Sequence, residues 1–361
     1  MKLSVVLLVL PVTIGGGVTL DKVNPCPAWG KKNYEIKKSF FVKNGCTLCK
    51  KRKHLRHYSN AEGNSYTNMY KIKNPLKCKL VDKVNLVRQN ALHEVYHLEI
   101  DHGGMFKYLE GQSCGVIPYY EEVARGEDKN NPQDGGKKGQ RLCARLYSIS
   151  SSNSDNLTFA IRIHTYEEEK NGQPHLNYGY CSGYIKGLRK NDNIYLTGAH
   201  GSFVLPNNVF EENTNLILIA TGTGISPYIS FLKKIFGDKQ GDTWPEKKTT
   251  YNGQIYLYYG VYNEDSILYM QELEDFVKRY PNNFHVEYVF SCNKNMDGTS
   301  HHVQDEIYKK RENFLRLFND LKCELYICGH KSIRATMLDI LKGENQVWDA
   351  EKRKRVHVEV Y

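Results

Sequence analysis

Arg145-Leu146-Tyr147-Ser148 places a guanidinium, an aromatic ring and a hydroxyl within four residues of one short, strand-like segment. A guanidinium grips a pyrophosphate through two parallel hydrogen bonds. A flat ring packs on another ring and a hydroxyl bonds its polar edge, so the three together suit one flat, phosphorylated ligand. An ordinary barrel strand carries such residues too, and the reading gains from its flanks: Gly111-Gln112-Ser113-Cys114-Gly115-Val116-Ile117-Pro118 before it and Gly179-Tyr180-Cys181-Ser182 after it. The second flank opens an amphipathic stretch whose first amides are free to bind phosphate.

A second constellation is Ala220-Thr221-Gly222-Thr223-Gly224-Ile225-Ser226-Pro227, which follows an apolar run and opens a helical one. That context is what a phosphate-binding glycine turn requires. Gly222 and Gly224 let the backbone approach a ligand, and the helix N-terminus offers unpaired N–H groups. Pro227 stands where the GxGxxG fingerprint has its third glycine, and proline fits a first helical turn. Tyr326-Ile327-Cys328-Gly329 ends another apolar run, at the strand end where α/β sheets present ligands. Taken alone, Cys328 is a small buried hydrophobe, the commonest fate of a free cysteine. The chain stops at Val356-His357-Val358-Glu359-Val360-Tyr361, on its own merely a last strand.

One motif points elsewhere. His93-Glu94-Val95-Tyr96-His97 is a literal HExxH, which binds zinc when a helix brings both histidines to one face. Here the β-favouring run Val95–Ile100, closed by Asp101-His102-Gly103-Gly104, predicts a strand and a turn. Along a strand the rings stand ~13 Å apart at ~3.3 Å per residue, too wide for one metal. No metal site is expected.

The elements that must hold these groups fall into two halves. From Lys77 to about residue 207, short alternating segments (Lys79–Val87, Ala91–Ile100, Arg145–Ser150, Leu157–Ile163, Asn193–Thr197) predict a small antiparallel β-barrel. Glu121–Gln140, charged and rich in Gly, Asn and Lys, reads as a surface loop. From residue 208 to Tyr361, apolar runs alternate with helical stretches. Strands are expected at Leu216–Ala220, Gln254–Gly260, Phe284–Phe290, Glu324–Cys328 and Val356–Tyr361. Helices are expected after Gly224, over Ile267–Arg279, near Val303–Phe318 and over Ile333–Leu341, with a loop at Gly237–Asn252. That alternation predicts a parallel-sheet α/β domain.

The formal charge of +10 is uneven, because Asp21 to Lys77 holds 14 Lys or Arg against three acids. With that stretch set aside the chain is near neutral, so no nucleic-acid partner is expected. Lys2, the apolar run Leu3–Leu10 and the small residues to Val18 suit a signal-peptide core and fall short of the ~20 apolar residues of a membrane span. The basic, acid-poor stretch that follows is like a transit peptide, so residues 1–76 read as a bipartite leader of the apicoplast type. Ten cysteines in 361 residues form no small-scaffold disulfide framework, and Cys46 and Cys49, inside the leader, have no second pair.

From Lys77 to Tyr361 the chain resembles the plant-type ferredoxin–NADP reductases, which carry RxYS, GQSxGVIP, GxCS, GTGTGxxP and a terminal VEVY in an FAD-binding β-barrel followed by an NADP-binding α/β domain. The resemblance implies that Arg145, Cys181 and Ser182 hold the FAD pyrophosphate. It places Tyr147 and the terminal Tyr361 on the isoalloxazine, Ser148 near N5 and Tyr166 on the adenine. Arg162, Gly222, Thr223, Gly224, Cys328 and Gly329 would face NADP(H), with Cys328 beside the nicotinamide C4 and Glu359 as the active-site carboxylate. Tyr361 would cover the nicotinamide site and swing aside for productive binding. The implied function is electron transfer between NADPH and an acidic 2Fe–2S ferredoxin, running from NADPH to ferredoxin in a non-photosynthetic plastid. A related reductase serving flavodoxin, a cytochrome or a quinone is the alternative.

The 2′-phosphate pocket departs from the family pattern. Ser291-Cys292-Asn293-Lys294 has no Arg after Ser291, His302 stands where a Tyr is usual, and His330 stands where Leu is common. Ser291 and Lys294 are expected to meet the phosphate, with His302 or His330 stacked on the adenine. Arg88 and Arg162 are expected among the cations that dock the carrier.

Overall fold

The computed structural model describes residues 68–121, 143–152, 156–170, 172–237, 249–319, 323–342 and 350–361. The loop expected at Glu121–Gln140, all but the first residue of it, most of that at Gly237–Asn252, and nearly all of the leader lie outside these residues.

In the first half, β1 (Leu76–Asn85), β2 (Val95–Asp101), β3 (Ser113–Ile117), β4 (Arg145–Ser148), β5 (Asn156–Arg162) and β8 (Asn193–His200) form one six-stranded sheet in the order β4-β3-β8-β1-β2-β5. Every neighbouring pair is antiparallel. Alternation drives it: in β1, Leu76, Cys78 and Leu80 point into the core while Lys77 and Lys79 face water. Just past β4, Ile149 bridges to Phe159, and the Ser150 N–H donates to the Thr158 carbonyl at 2.9 Å, so the sheet closes on itself as the expected barrel. Residues 68–70, which the charge balance put in the leader, hydrogen-bond to this barrel, Asn68 N–H to the Ala199 carbonyl and Tyr70 N–H to that of Gly198. Helix α1 (Tyr180–Gly187) sends Cys181 and Ile185 into the same core. The hairpin β6 (Thr165–Lys170) with β7 (Gln173–Tyr178) was not expected. All six residues of β6 are exposed, and Glu167-Glu168-Glu169 carries no apolar alternation to announce a strand.

In the second half, β9 (Asn215–Thr221), β10 (Ile255–Val261), β11 (Phe284–Phe290), β12 (Cys323–Gly329) and β13 (Val356–Val360) form a parallel sheet in the order β11-β10-β9-β12-β13. Helices α2 (Ser226–Phe236) and α3 (Met270–Arg279) pack on one face; α4 (Val303–Lys309), α5 (Arg311–Asn319) and α6 (Ser332–Lys342) pack on the other. A short α7 (Ala350–Lys354) leads into β13. The central strand shows why β9 reads as a continuous apolar run. Leu216, Leu218 and Ala220 enter one core, and Ile217 and Ile219 enter the other. The single helical stretch expected near Val303–Phe318 is two helices, turned at Lys310 so that Ile307, Phe314 and Phe318 share one core.

The two halves share buried surface. Phe203, after the barrel, stacks on Phe231 of α2 and meets Tyr326 of β12 edge-on, with centroids 6.1 Å and 5.2 Å apart. A polar chain crosses the same seam: the Tyr269 hydroxyl lies 3.2 Å from His97 Nδ1 and donates to Ser150 Oγ at 3.1 Å, and Ser150 meets Thr158 Oγ1 at 2.7 Å. Burial, helped by Lys233, pushes the His97 imidazole down to about 4, so it is neutral near pH 7; with the single Tyr269 O–H given to Ser150, His97 Nδ1 carries the ring proton and donates to the Tyr269 oxygen. Replacing Tyr269 with Phe strips the shared hydroxyl from two buried partners. The expected loss is about 1–3 kcal/mol in urea-unfolding free energy; an unchanged midpoint and slope would show that the seam does not depend on this chain of bonds.

Candidate active site

The site forms where the barrel's β3–β4 edge meets the C-terminal ends of β9 and β12. Register does most of the placing. On the barrel side Ser113 of β3 pairs with Ser148 of β4, and Cys114 with Tyr147. On the α/β side β13 runs parallel to β12 with Cys328 opposite Glu359. Glu359 and Tyr361 are two residues apart, so both project to one face. The Glu359 carboxylate accepts a hydrogen bond from Ser113 Oγ at 2.9 Å, 246 residues away in the chain. The Tyr361 N–H donates to the Gly329 carbonyl at 3.1 Å, and its hydroxyl lies 2.8 Å from Thr223 Oγ1. Its residue surface stays 57% exposed. The ring is fastened at its tip.

Next to it the backbone is tightly fitted. Gly222 has φ +53, the left-handed region that glycine fills without strain. A Cβ on Gly224 would lie 2.3 Å from the Cys328 carbonyl oxygen, and one on Gly329 would lie 2.0 Å from Thr221 Oγ1, so neither tolerates a side chain. The turn Gly222–Ile225 then feeds α2 with Pro227 in its first turn, as the sequence predicts.

Electrostatics follow burial. Burial raises the Glu359 carboxyl above its usual value, with the Ser113 hydrogen bond opposing only in part. Cys328 is fully buried, and burial together with the Glu359 charge pushes its thiol well up. It is a neutral thiol under ordinary conditions, a packing group and not a nucleophile.

A cavity of about 490 Å³ opens from this point along the ends of the parallel strands. Thr221, Gly222, Thr223, Ser291, His302, His330 and Tyr361 line it from one domain and Arg162 from the other. Sequence reading had named all of these except Thr221 as site residues. Two more of the expected residues lie off this cavity. Lys294 is absent from the cavity wall, and its ammonium donates to Ser300 Oγ at 3.3 Å. Tyr166 is exposed on the hairpin, stacked on His164 with centroids 6.1 Å apart. His93 and His97 of the HExxH motif flank and enter strand β2; His93 faces the cavity while His97 turns to Tyr269.

Sequence reasoning missed Ser113 as a partner of Glu359, and it missed His93 and Gln304 in the cavity wall. Ser113 lay within a quoted motif, but only the β3–β4 pairing shows that it stands beside Ser148.

The barrel side of the site fits a flavin dinucleotide by its donors. Arg145 is exposed at the start of β4, and Tyr147 and Ser148 follow, half-buried. Helix α1 begins at Gly179 without a side-chain cap, leaving first-turn amides for an anion. Ser182 Oγ braces that turn, accepting from His164 N–H at 3.1 Å and donating to the Gly179 carbonyl at 3.2 Å. Cys181 is buried with its thiol directed to the Val116 carbonyl, 3.9 Å away, so it packs behind the helix start.

Comparison with known proteins agrees with this geometry. The oxidoreductase NAD-binding domain family matches residues 218–338. The apicoplast ferredoxin–NADP reductase of Plasmodium falciparum is 55% identical over 334 residues, covering 86% of this chain and 88% of that protein. The chloroplastic embryo isozyme from rice is 33% identical over 312 residues, 81% of this chain and 77% of its own. A solved structure, the Plasmodium falciparum ferredoxin–NADP+ reductase with 2′P-AMP, superposes with a TM-score of 0.70 at 58% identity, covering 82% of this chain and all of that one. A β-barrel, a glycine turn on a parallel sheet and a terminal tyrosine at their junction, together with this kinship, establish that the chain belongs to the ferredoxin–NADP reductase family.

Proposed function

We propose that residues 77–207 hold FAD, that residues 208–361 hold NADP(H), and that electrons pass between NADPH and a ferredoxin at the seam between them. The observation that carries the reading is the arrival of Glu359, from the last strand of one domain, against Ser113 of the other, with Tyr361 just past that strand. Bound FAD supplies the coupling of a two-electron hydride partner to a one-electron carrier. Arg145 and the first amides of α1 hold its pyrophosphate, with Cys181 and Ser182 shaping that helix start. Tyr147 and Tyr361 flank the isoalloxazine, Ser148 bonds its edge, and Tyr166 packs the adenine. Gly222, Thr223, Gly224 and Gly329 let a dinucleotide lie close to the sheet, and Cys328 packs below the place where nicotinamide must lie. Ser291, Lys294, His302, His330 and Arg162 meet the phosphate and adenine end.

Tyr361 excludes water from the ring and must leave for nicotinamide to stack. Burial raises the Glu359 carboxyl above its usual value, so it takes up a proton more readily than a free carboxylate and can relay one along its hydrogen bond with Ser113. The exposed cations Arg88 and Arg162 belong to the face that meets an acidic carrier, which makes turnover salt-sensitive. Among the described residues no helix is long and apolar enough to cross a membrane. With an apicoplast relative and a leader of that type, the chain works in a plastid, and without photosynthesis to supply reduced ferredoxin, flow runs from NADPH to ferredoxin.

Purified chain should be yellow and should oxidise NADPH slowly alone and rapidly with ferredoxin and a terminal acceptor. A folded sample that stays colourless after incubation with FAD refutes the reading, and equal rates with and without ferredoxin would favour another carrier. Deleting the Tyr361 ring (Tyr361→Ser) removes a competitor for the nicotinamide and a bond worth about 0.5–1.5 kcal/mol. NADP+ should then bind roughly three- to tenfold tighter by difference spectroscopy, while weaker binding would mean that the ring is no cover.

For Glu359 the raised value means that the folded state holds the proton more tightly than the unfolded chain. Its favourable contribution is complete below the ordinary carboxyl range (~4.3) and fades as pH rises through the raised folded value. Relative to Glu359→Gln, whose amide does not titrate, the parent should therefore lose Tm between pH 4 and pH 8. A difference that stays constant or grows with pH would contradict a buried, raised carboxyl.

A further inference from the structure

The stretch between β11 and α4 carries Lys294 and ends at His302, and between them lies a histidine outside the cavity wall. Residues 294–300 form a small turn pinned at its neck: Lys294 bridges to Ser300, and the Asn295 N–H donates to the Thr299 carbonyl at 2.8 Å. Next to the neck, the His301 N–H donates to the Asn293 carbonyl at 3.0 Å. The His301 side chain is only 12% exposed, and both ring nitrogens meet acceptors. Nδ1 lies 2.7 Å from Asn295 Oδ1, and Nε2 lies 3.0 Å from Glu306 Oε2 on α4.

The Asn295 amide cannot turn round to relieve this. Its nitrogen faces Thr299 Oγ1, the Ser300 carbonyl and the Asp305 carboxylate at 3.2, 3.4 and 3.5 Å, the last two of which only accept. Its oxygen therefore points at His301. Glu306 is ionised: burial disfavours its charge, but hydrogen bonds from Lys310 and His301 outweigh that and hold the carboxyl below its usual value. The His301 ring thus bridges the Asn295 side chain of the turn and Glu306 of α4.

We propose that His301 is a positioning residue for the 2′-phosphate, tying the turn that presents Lys294 to the first turns of α4. The inference rests on the reading that Lys294 meets that phosphate. With the tie in place, one end of the Lys294 turn is fixed to the same helix whose start, His302 and Gln304, lines the dinucleotide cavity. The Lys294 ammonium rests on Ser300 Oγ within this frame. Without the tie the turn keeps its neck and the longer Asn295–Asp305 contact but loses its shorter anchor to α4, and the ammonium is delivered less often to the right place. His301 touches no ligand, so its effect passes through Lys294.

A double-mutant cycle tests this on the full-length, FAD-loaded chain: Lys294→Ala, His301→Leu and the combination, with His301→Gln as a milder variant that keeps one donor. The readouts are calorimetric affinity for 2′-phospho-AMP and KM for NADPH and for NADH. Lys294→Ala should weaken 2′-phospho-AMP about tenfold, and His301→Leu roughly threefold or more, with His301→Gln between parent and Leu. The double variant should bind no more weakly than Lys294→Ala alone, and KM for NADH should stay unchanged throughout. Additive losses, or equal losses for NADPH and NADH, would make His301 a general structural residue and overturn the inference. If His301→Leu does not fold, the Gln variant decides by the same comparison. An unchanged affinity in Lys294→Ala would instead refute the assignment of Lys294 itself, and the tie with it.

Discussion

The parallel pairing of β13 with β12 is the constraint on which the rest depends. It fixes Glu359 opposite Cys328 and leaves Tyr361 one step beyond the sheet, hydrogen-bonded through its N–H to Gly329. A slip of one residue would turn Glu359 and Tyr361 to the other face of the strand and empty the site of both. The register is secured by composition and contact: Val356, Val358 and Val360 pack against the core on one face, while His357 stacks on Tyr326 and bonds Glu324 at 2.8 Å on the other. The strand is short and at a sheet edge, so these anchors matter more than its five backbone residues.

A second constraint is closeness. The glycine turn can sit against the end of β12 only because Gly224 and Gly329 lack side chains where the Cys328 carbonyl and Thr221 Oγ1 intrude. The seam between the domains is held separately, by the aromatic contacts of Phe203 and by the buried Tyr269–Ser150–His97 bonds. The glycine turn and the strand ends are thereby built on rigid elements, with the exposed Tyr361 ring at the chain's end.

Much of this was legible in the sequence, because local pattern and local chemistry agreed. The buried parallel strands announced themselves as apolar runs such as Leu216–Ala220, the glycine turn carried its helix-opening proline, and β1 alternated lysine with core residues. The flanks of HExxH announced the strand that Val95–Asp101 forms. What the sequence could not show depended on long-range register or on surfaces without a hydrophobic signal. The bond from Ser113 to Glu359 spans 246 residues, the β6–β7 hairpin is polar on both faces, and the break at Lys310 leaves the helical period nearly intact. Lys294 was singled out as a charge near a phosphate, but the His301 network behind it has no motif.

The most direct measurement is a crystal structure of the chain with FAD bound. The account predicts the isoalloxazine between Tyr147 and Tyr361, its pyrophosphate at Arg145 and the first turn of α1, and Ser148 at the ring edge. A flavin bound outside that slot, or one bound there with Glu359 parted from Ser113 and β13 displaced from β12, would contradict it.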